Sequence, residues 1–185
     1  DLLRRLRPAG CYQLLIGLES LSRDTLRSID PSGWKAARLD HYVQAVRRIQ
    51  DTGVTVNTCF IVGLDGDTPA VFDDIRRFVD QADPLEIQVT VLTPFPGTAL
   101  YERLRREGRL DPPPFWHRCT LFDLNFQPAG MTREQLRRGL CDLFGDLYNA
   151  EAFSRRRHTY RELIRRLRPS PPGGPEAPQG ASDVL

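Results

Sequence analysis

Residues 55–68 read TVNTCFIVGLDGDT: an apolar run that ends in a turn holding two glycines and two aspartates. Val56, Phe60, Ile61 and Val62 suit a strand buried on both faces, while Gly63 and Gly66 permit a tight turn or a close approach of backbone to a ligand. Thr68 and Pro69 then read as the N-cap and first residue of a helix. In a parallel α/β protein the C-terminal end of such a strand is where ligands bind.

The same rhythm repeats on either side. Residues 11–18, CYQLLIGL, have strand length, and Ser22 is placed to cap a helix whose Leu21 and Leu26 fit the staple positions. A turn at DPSG, residues 30–33, leads to helical spacing from about Arg38 through Leu39, Tyr42, Val43, Val46 and Ile49, closed by Gly53. The helix after the central strand carries Val71, Phe72, Ile75, Phe78, Val79 and Ala82 on one face, and Asp83-Pro84 ends it. Residues 86–92, EIQVTVL, form a third strand, TPFPGT a turn, and Leu100, Tyr101 and Leu104 begin a helix that stops near Gly108. Three strand-helix units in succession predict a parallel sheet, because each crossover must return over one face before the next strand starts. The loops after the three strands then share one rim.

Beyond Leu110 the pattern changes. Prolines 112–114 interrupt it, residues 115–126 are aromatic and irregular, and Thr132 with Gln135 makes a capping box for a helix bearing Leu136, Leu140, Leu143, Phe144, Leu147 and Tyr148. A second helix over residues 152–167 has Tyr160, Leu163, Ile164 and Leu167 on one face and seven arginines between Arg155 and Arg168. Residues 169–185 are rich in Pro, Gly, Ser and Ala and are predicted to be a disordered tail. The expected organisation is an α/β unit over 1–110, an aromatic segment with a helical extension over 111–168, and a tail over 169–185.

Composition narrows the function classes. With 40% hydrophobic and 27% charged residues the chain is globular, and no apolar run approaches the ~20 residues of a membrane span. A net charge of +2 gives too weak a field to point to nucleic acid. Cys11, Cys59, Cys119 and Cys141 stand far apart, which fits a reducing, cytoplasmic compartment and none of the close pairings of zinc or iron–sulfur ligands. The chain begins at Asp1 in a helical pattern and is read as a piece of a longer polypeptide.

Three strand ends carry candidate sites. Glu19 and Ser20 can hydrogen-bond sugar hydroxyls or an amino group, or can be a loop acid and a helix-flanking serine. The Gly63–Thr68 turn offers close backbone approach and free N–H groups at the following helix, or is an ordinary connection. Residues 93–98 present carbonyls that their proline neighbours hold extended, able to edge a flat ring or merely to stiffen a turn. His41, His117 and His158 lie far from one another and from any serine or cysteine nucleophile, so no triad is visible.

Taken in order, IGLES (16–20), FIVGLDGDT (60–68) and LTPFPGTALYERL (92–104) resemble the second half of a radical S-adenosylmethionine barrel. The resemblance is strongest to members with an upstream cobalamin-binding domain, many of them methyltransferases. It implies a partial (β/α)6 TIM-like barrel, of which the present strands are the fourth to sixth. It implies that Glu19 and Ser20 contact the ribose and methionyl part of S-adenosylmethionine. By the same resemblance Phe60, Ile61 and Gly63 face the adenine, with a Gly63 side chain filling the ring's place, and Leu92 and Thr93 meet the same ring. Asp67 stands where relatives often have glutamate, and Thr58 where glycine is common.

The family's C-x-x-x-C-x-x-C loop is absent, so no catalytic residue and no metal ligand is assigned here. The resemblance places the [4Fe-4S] cluster on a missing N-terminal half of the same polypeptide, with cobalamin on a further domain and an external electron donor. The full enzyme is then expected to generate a 5′-deoxyadenosyl radical and act on a small-molecule or lipid-like substrate, and this segment alone to be inactive. Two rivals are a half-barrel of an aldolase or isomerase and a noncatalytic docking module. The first calls for a lysine or acid-base pair at the strand ends, and Lys35, the only lysine, reads as lying in a turn.

Overall fold

The computed structural model describes residues 2–112 and 115–167. The tail expected over 169–185 lies outside the described residues. A short helix α1 (Leu2–Leu6) precedes three parallel strands, β1 (Gln13–Glu19), β2 (Thr55–Val62) and β3 (Glu86–Val91), paired in the order β1-β2-β3. The register sets Leu15 beside Asn57, Gly17 beside Cys59, Cys59 beside Gln88 and Ile61 beside Thr90, with an irregularity between Gly17 and Glu19 that brings Glu19 level with Phe60. The strands alternate with helices in an open sheet, the layout of part of a TIM-like barrel.

Strand periodicity decides what each face does. Val56, Phe60 and Val62 of β2, with Ile87, Val89 and Val91 of β3, join a continuous core with the helical layer. Phe60 meets Phe78 edge to face at a ring separation of 5.4 Å. The alternate residues Asn57, Cys59 and Ile61 are only half-buried, and Leu15 of β1 is 66% exposed. This second face is the one a closed barrel would turn inward.

The helices differ from the simple reading in instructive ways. Ser22 caps α2 (Arg23–Ile29) by accepting from the Thr25 N–H, as its sequence position predicts. The helix expected from about Arg38 begins as a 3-10 turn at Leu39–His41 and continues as α4 (Tyr42–Gln50), and a further short helix, α3 (Trp34–Arg38), precedes it. Lys35 therefore sits on a helix, not in the turn. Helix α5 (Val71–Ala82) starts later than Thr68-Pro69 predicts, because the Val71 N–H closes a turn on the Thr68 carbonyl first. Asp83 ends it in the left-handed conformation at φ 44°.

Helix α6 (Ala99–Arg106), capped by Thr98, turns its Arg103 to the loop after β2. Helix α7 (Arg133–Leu147), with the predicted capping box, lies along α5: Gly139 meets the Phe72 ring and Arg76 pairs with Asp146 at 2.7 Å. Only glycine fits there, since a Cβ at 139 would stand 2.1 Å from the ring. Helix α8 (Ala150–Leu167) crosses the N-terminal ends of the strands, where Ile164 and Leu167 pack on Gly53 and Tyr160 donates to the Gly53 carbonyl. Most of its arginines are exposed, but Arg156 is 3% exposed and donates to the Leu147 carbonyl.

Candidate functional site

The C-terminal ends of β1, β2 and β3 bring the three candidate stretches onto one rim, and each residue there has a definite set of partners. Glu19 sits at φ 69°, a left-handed conformation that a non-glycine residue adopts only where its surroundings enforce it. Its carboxylate folds back over Gly17 and receives Lys35 Nζ at 2.8 Å, while the same ammonium donates to the Gly17 carbonyl at 2.9 Å. Both side chains are partly solvated. Burial pushes the Cys59 thiol up, and the Glu19 charge on the same face adds to that shift.

Ser20 is buried and its Oγ accepts from the Ser22 N–H at 3.1 Å, so the hydroxyl serves the turn. The Phe60 side chain belongs to the core, which leaves only its backbone at the sheet's open face. Ile61 stands on that open face and is half-buried. Leu92, half-buried, donates its N–H to the Val62 carbonyl at 2.9 Å, and Thr93 donates its buried hydroxyl to the Val91 carbonyl at 3.0 Å.

The loop after β2 is bonded internally and from the C-terminal side. Gly63 has φ 90°, and a Cβ on it would meet Leu136 at 3.1 Å and Phe126 at 3.3 Å. Positive φ and this packing require the glycine, and a side chain at 63 would point at Leu136 and Phe126. The Gly63 and Leu64 N–H groups both donate to Asp67 Oδ2 at 3.0 Å. Asp67 is 2% exposed, its Oδ1 has no partner, and burial pushes its carboxyl up to about 6 against the pull of those two bonds. Asp65 gives one carboxylate oxygen to Arg109, at 2.7 Å, and the other to Arg103.

Sequence reasoning missed Lys35, the Asp67 brace and the Asp65 ion pairs. Lys35 had one signal, its uniqueness. The partners of Asp65 lie 38 and 44 residues away, beyond any local pattern.

The two sheet edges are unlike. On β3, Tyr148 Oη donates to the Ile87 carbonyl at 2.9 Å and the Val91 N–H reaches the Leu121 carbonyl at 2.7 Å. Beside β1 lies an apolar groove of about 590 Å³ lined by Ile16, Leu18, Trp34, Ala37, Tyr42 and Ala45, among others.

Comparison with known proteins agrees with these motifs. The family described as Domain of unknown function (DUF4070) matches residues 98–180, from the cap of α6 onward. The bacteriochlorophyllide d C-12(1)-methyltransferase of Chlorobaculum tepidum is 29% identical over 150 residues, 80% of this chain and 31% of that protein. The hopanoid C-2 methylase of Rhodopseudomonas palustris is 31% identical over 115 residues, 60% of this chain and 20% of that protein. The anaerobic magnesium-protoporphyrin IX monomethyl ester cyclase of Cereibacter sphaeroides is 23% identical over 152 residues, 82% of this chain and 24% of that protein. The chain is related to the radical S-adenosylmethionine enzymes. That family's members use S-adenosylmethionine and an iron–sulfur cluster, and its methyltransferases and cyclases are enzymes. This radical S-adenosylmethionine relative spans less than a third of the length of each of these three proteins. Among its described residues no helix is long and apolar enough to cross a membrane.

Proposed function

We propose that residues 1–110 are the C-terminal half of a radical S-adenosylmethionine barrel, that residues 111–168 are its helical extension, and that together they hold part of the cofactor and shape the substrate pocket. The observation that carries this reading is Glu19: a carboxylate forced to positive φ at a strand end, half-open to solvent, on the face shared by Ile61. The donor set fits the cofactor. Glu19, with one carboxylate oxygen on Lys35, keeps acceptor capacity for an amino group or sugar hydroxyls, and Ile61 offers apolar surface to a ring. Ser20, Phe60, Gly63 and Thr93 contribute through backbone and turn geometry, since their polar side-chain atoms and the Gly63 N–H are already engaged or face the core.

When bound and reduced at a [4Fe-4S] cluster, the cofactor supplies a 5′-deoxyadenosyl radical able to take hydrogen from an unactivated carbon. We place the cluster, a cobalamin domain and docking for an external electron donor on the rest of a longer cytoplasmic polypeptide, with this segment inactive alone. Bacteriochlorophyllide, hopanoid and magnesium-protoporphyrin IX monomethyl ester in the relatives' names support a small-molecule or lipid-like substrate. The uncovered groove along β1 supports the same picture, as the seat of the preceding strand-helix unit. The aldolase reading gains a lysine at a strand end, but Lys35 is engaged by Glu19 and Gly17 instead of standing free as a nucleophile.

The test is Glu19→Ala in the intact polypeptide. Loss of charge-assisted hydrogen bonds is expected to weaken S-adenosylmethionine binding by roughly 1.5 to 3 kcal/mol with iron content unchanged. Unaltered affinity returns Glu19 to the role of a loop acid.

A further inference from the structure

The loop from Gly63 to Asp67 packs at Gly66 against Thr25 of α2, and its ion pairs all come from residues far along the chain. Arg109 joins three pieces: Nη2 to Asp65 at 2.7 Å, Nη1 to Glu107 at 2.8 Å and Nε to the Gln127 carbonyl at 2.8 Å. Arg103 takes the second oxygen of Asp65, so both oxygens have a cation. Residues 109–111 pair with residues 125–127: the Gln127 N–H reaches the Arg109 carbonyl at 2.7 Å and the Asp111 N–H reaches the Asn125 carbonyl at 3.0 Å, on either side of the Leu110–Phe126 bridge. The ring of Phe126, wholly buried, lies against Gly63, and Gly130 lies against the Asp67 carbonyl so closely that a Cβ there would stand 2.2 Å from it. The ion pairs and the two packing contacts thus reach the loop from a single ribbon and its flanks.

Charge and burial make Arg109 the centre of this arrangement. Its side chain is 17% exposed, less than that of Asp65 or Arg103, and its guanidinium has two carboxylates and a carbonyl around it. Burial alone would raise the Asp65 carboxyl; the bonds from Arg109 and Arg103 outweigh it and hold the group below the usual carboxylate range. Asp67 braces the loop from within, through Gly63 and Leu64. Asp65 ties the loop by ion pairs to the segment after β3.

We infer that Asp65, Arg103 and Arg109 are positioning residues: an ionic clamp through which the C-terminal extension sets the loop after β2 in the geometry that receives the cofactor. The inference rests on the rim binding S-adenosylmethionine, and it gives the extension a defined part in that binding. None of the three touches the reacting atoms.

The experiment compares wild type, Asp65→Asn, Arg109→Met and Arg109→Lys in the intact polypeptide, with Arg103→Gln as a milder fourth variant on a more exposed side chain. Two quantities are read: hydrogen exchange at the Gly63 and Leu64 amides, and the dissociation constant for S-adenosylmethionine by equilibrium dialysis. Asp65→Asn and Arg109→Met are each expected to speed exchange in the loop and to weaken binding about 3- to 30-fold. Arg109→Lys keeps a charge and is expected to restore part of both. The double variant should lose little more than either single one, because both remove the same pair. Faster loop exchange with unchanged affinity overturns the clamp while leaving the rim assignment standing, as does full additivity of the two variants. If Glu19→Ala also leaves affinity unchanged, the rim assignment falls and the clamp's role with it.

Discussion

Asp67 gives the sharpest prediction because its environment opposes its charge. The side chain is 2% exposed, Oδ2 receives two backbone N–H groups at 3.0 Å and Oδ1 receives nothing. Burial is the largest influence, the two N–H bonds pull the other way, and the Asp65 and Asp74 carboxylates push up again, leaving the group at about 6 against an ordinary 3.8. A difference of about two pH units corresponds to roughly 3 kcal/mol. The folded value lies above the unfolded one, so the folded state binds the proton more tightly between them. Above pH 6 the fold therefore carries the full cost of the buried charge, and stability returns as pH falls toward 3.8, about 2 kcal/mol of it by pH 4.5. Asp65 and Asp111 act oppositely, since their lowered values make their stabilisation disappear as pH falls. Asp67→Asn keeps an acceptor for the two amides and removes the titration, so the difference between wild type and variant isolates this residue. Urea midpoints of the intact polypeptide, from pH 4.5 to 7.5, should show wild type gaining on the variant by about 2 kcal/mol as pH falls. A flat difference, or one of the opposite sign, refutes the reasoning.

Other expectations follow from the same geometry. Gly63→Ala should lower the urea midpoint by the equivalent of about 1 kcal/mol or more, from positive φ and the approach to Leu136 and Phe126; an unchanged midpoint would mean the loop relaxes freely. The isolated chain, with β1 flanked by an open apolar groove, should self-associate at micromolar concentration in analytical ultracentrifugation, and a monomer with a sharp cooperative transition contradicts the half-barrel reading. Tyr148→Phe should cost about 1 kcal/mol by removing the donor to the Ile87 carbonyl, read again as a urea midpoint.

What the sequence made legible was whatever depends on local pattern. The alternation in residues 86–92, the Ser22 cap and the Thr132–Gln135 box each appear in the structure where spacing alone places them. The strand ends carrying Glu19, Gly63 and Thr93 could be assigned to one rim because parallel strands leave no other arrangement. What those residues bond to was not legible. Ser20 and Thr93 look available in sequence, yet each hydroxyl serves a neighbour two residues away. Lys35 looked remote from β1 because the short helix α3 and the 3-10 turn after it, which fold it back, have no strong local signature. The Asp65 ion pairs depend on where a ribbon some forty residues later comes to rest.

The extension also explains why the third unit of the sheet needs no fourth. A parallel edge strand exposes alternate N–H and C=O groups that invite another strand. Along β3 the phenol of Tyr148 and the carbonyl of Leu121 meet those groups, and both come from segments after α6. Helix α7 lies along α5 while α6, at the end of β3, serves the rim through Arg103. One stretch of chain therefore closes the sheet at β3, completes the helical layer and fixes the loop after β2. Growth of the sheet is then directed to the other side, where the groove beside β1 keeps its apolar lining uncovered. On the proposed half-barrel reading, further strands would therefore join at the β1 edge.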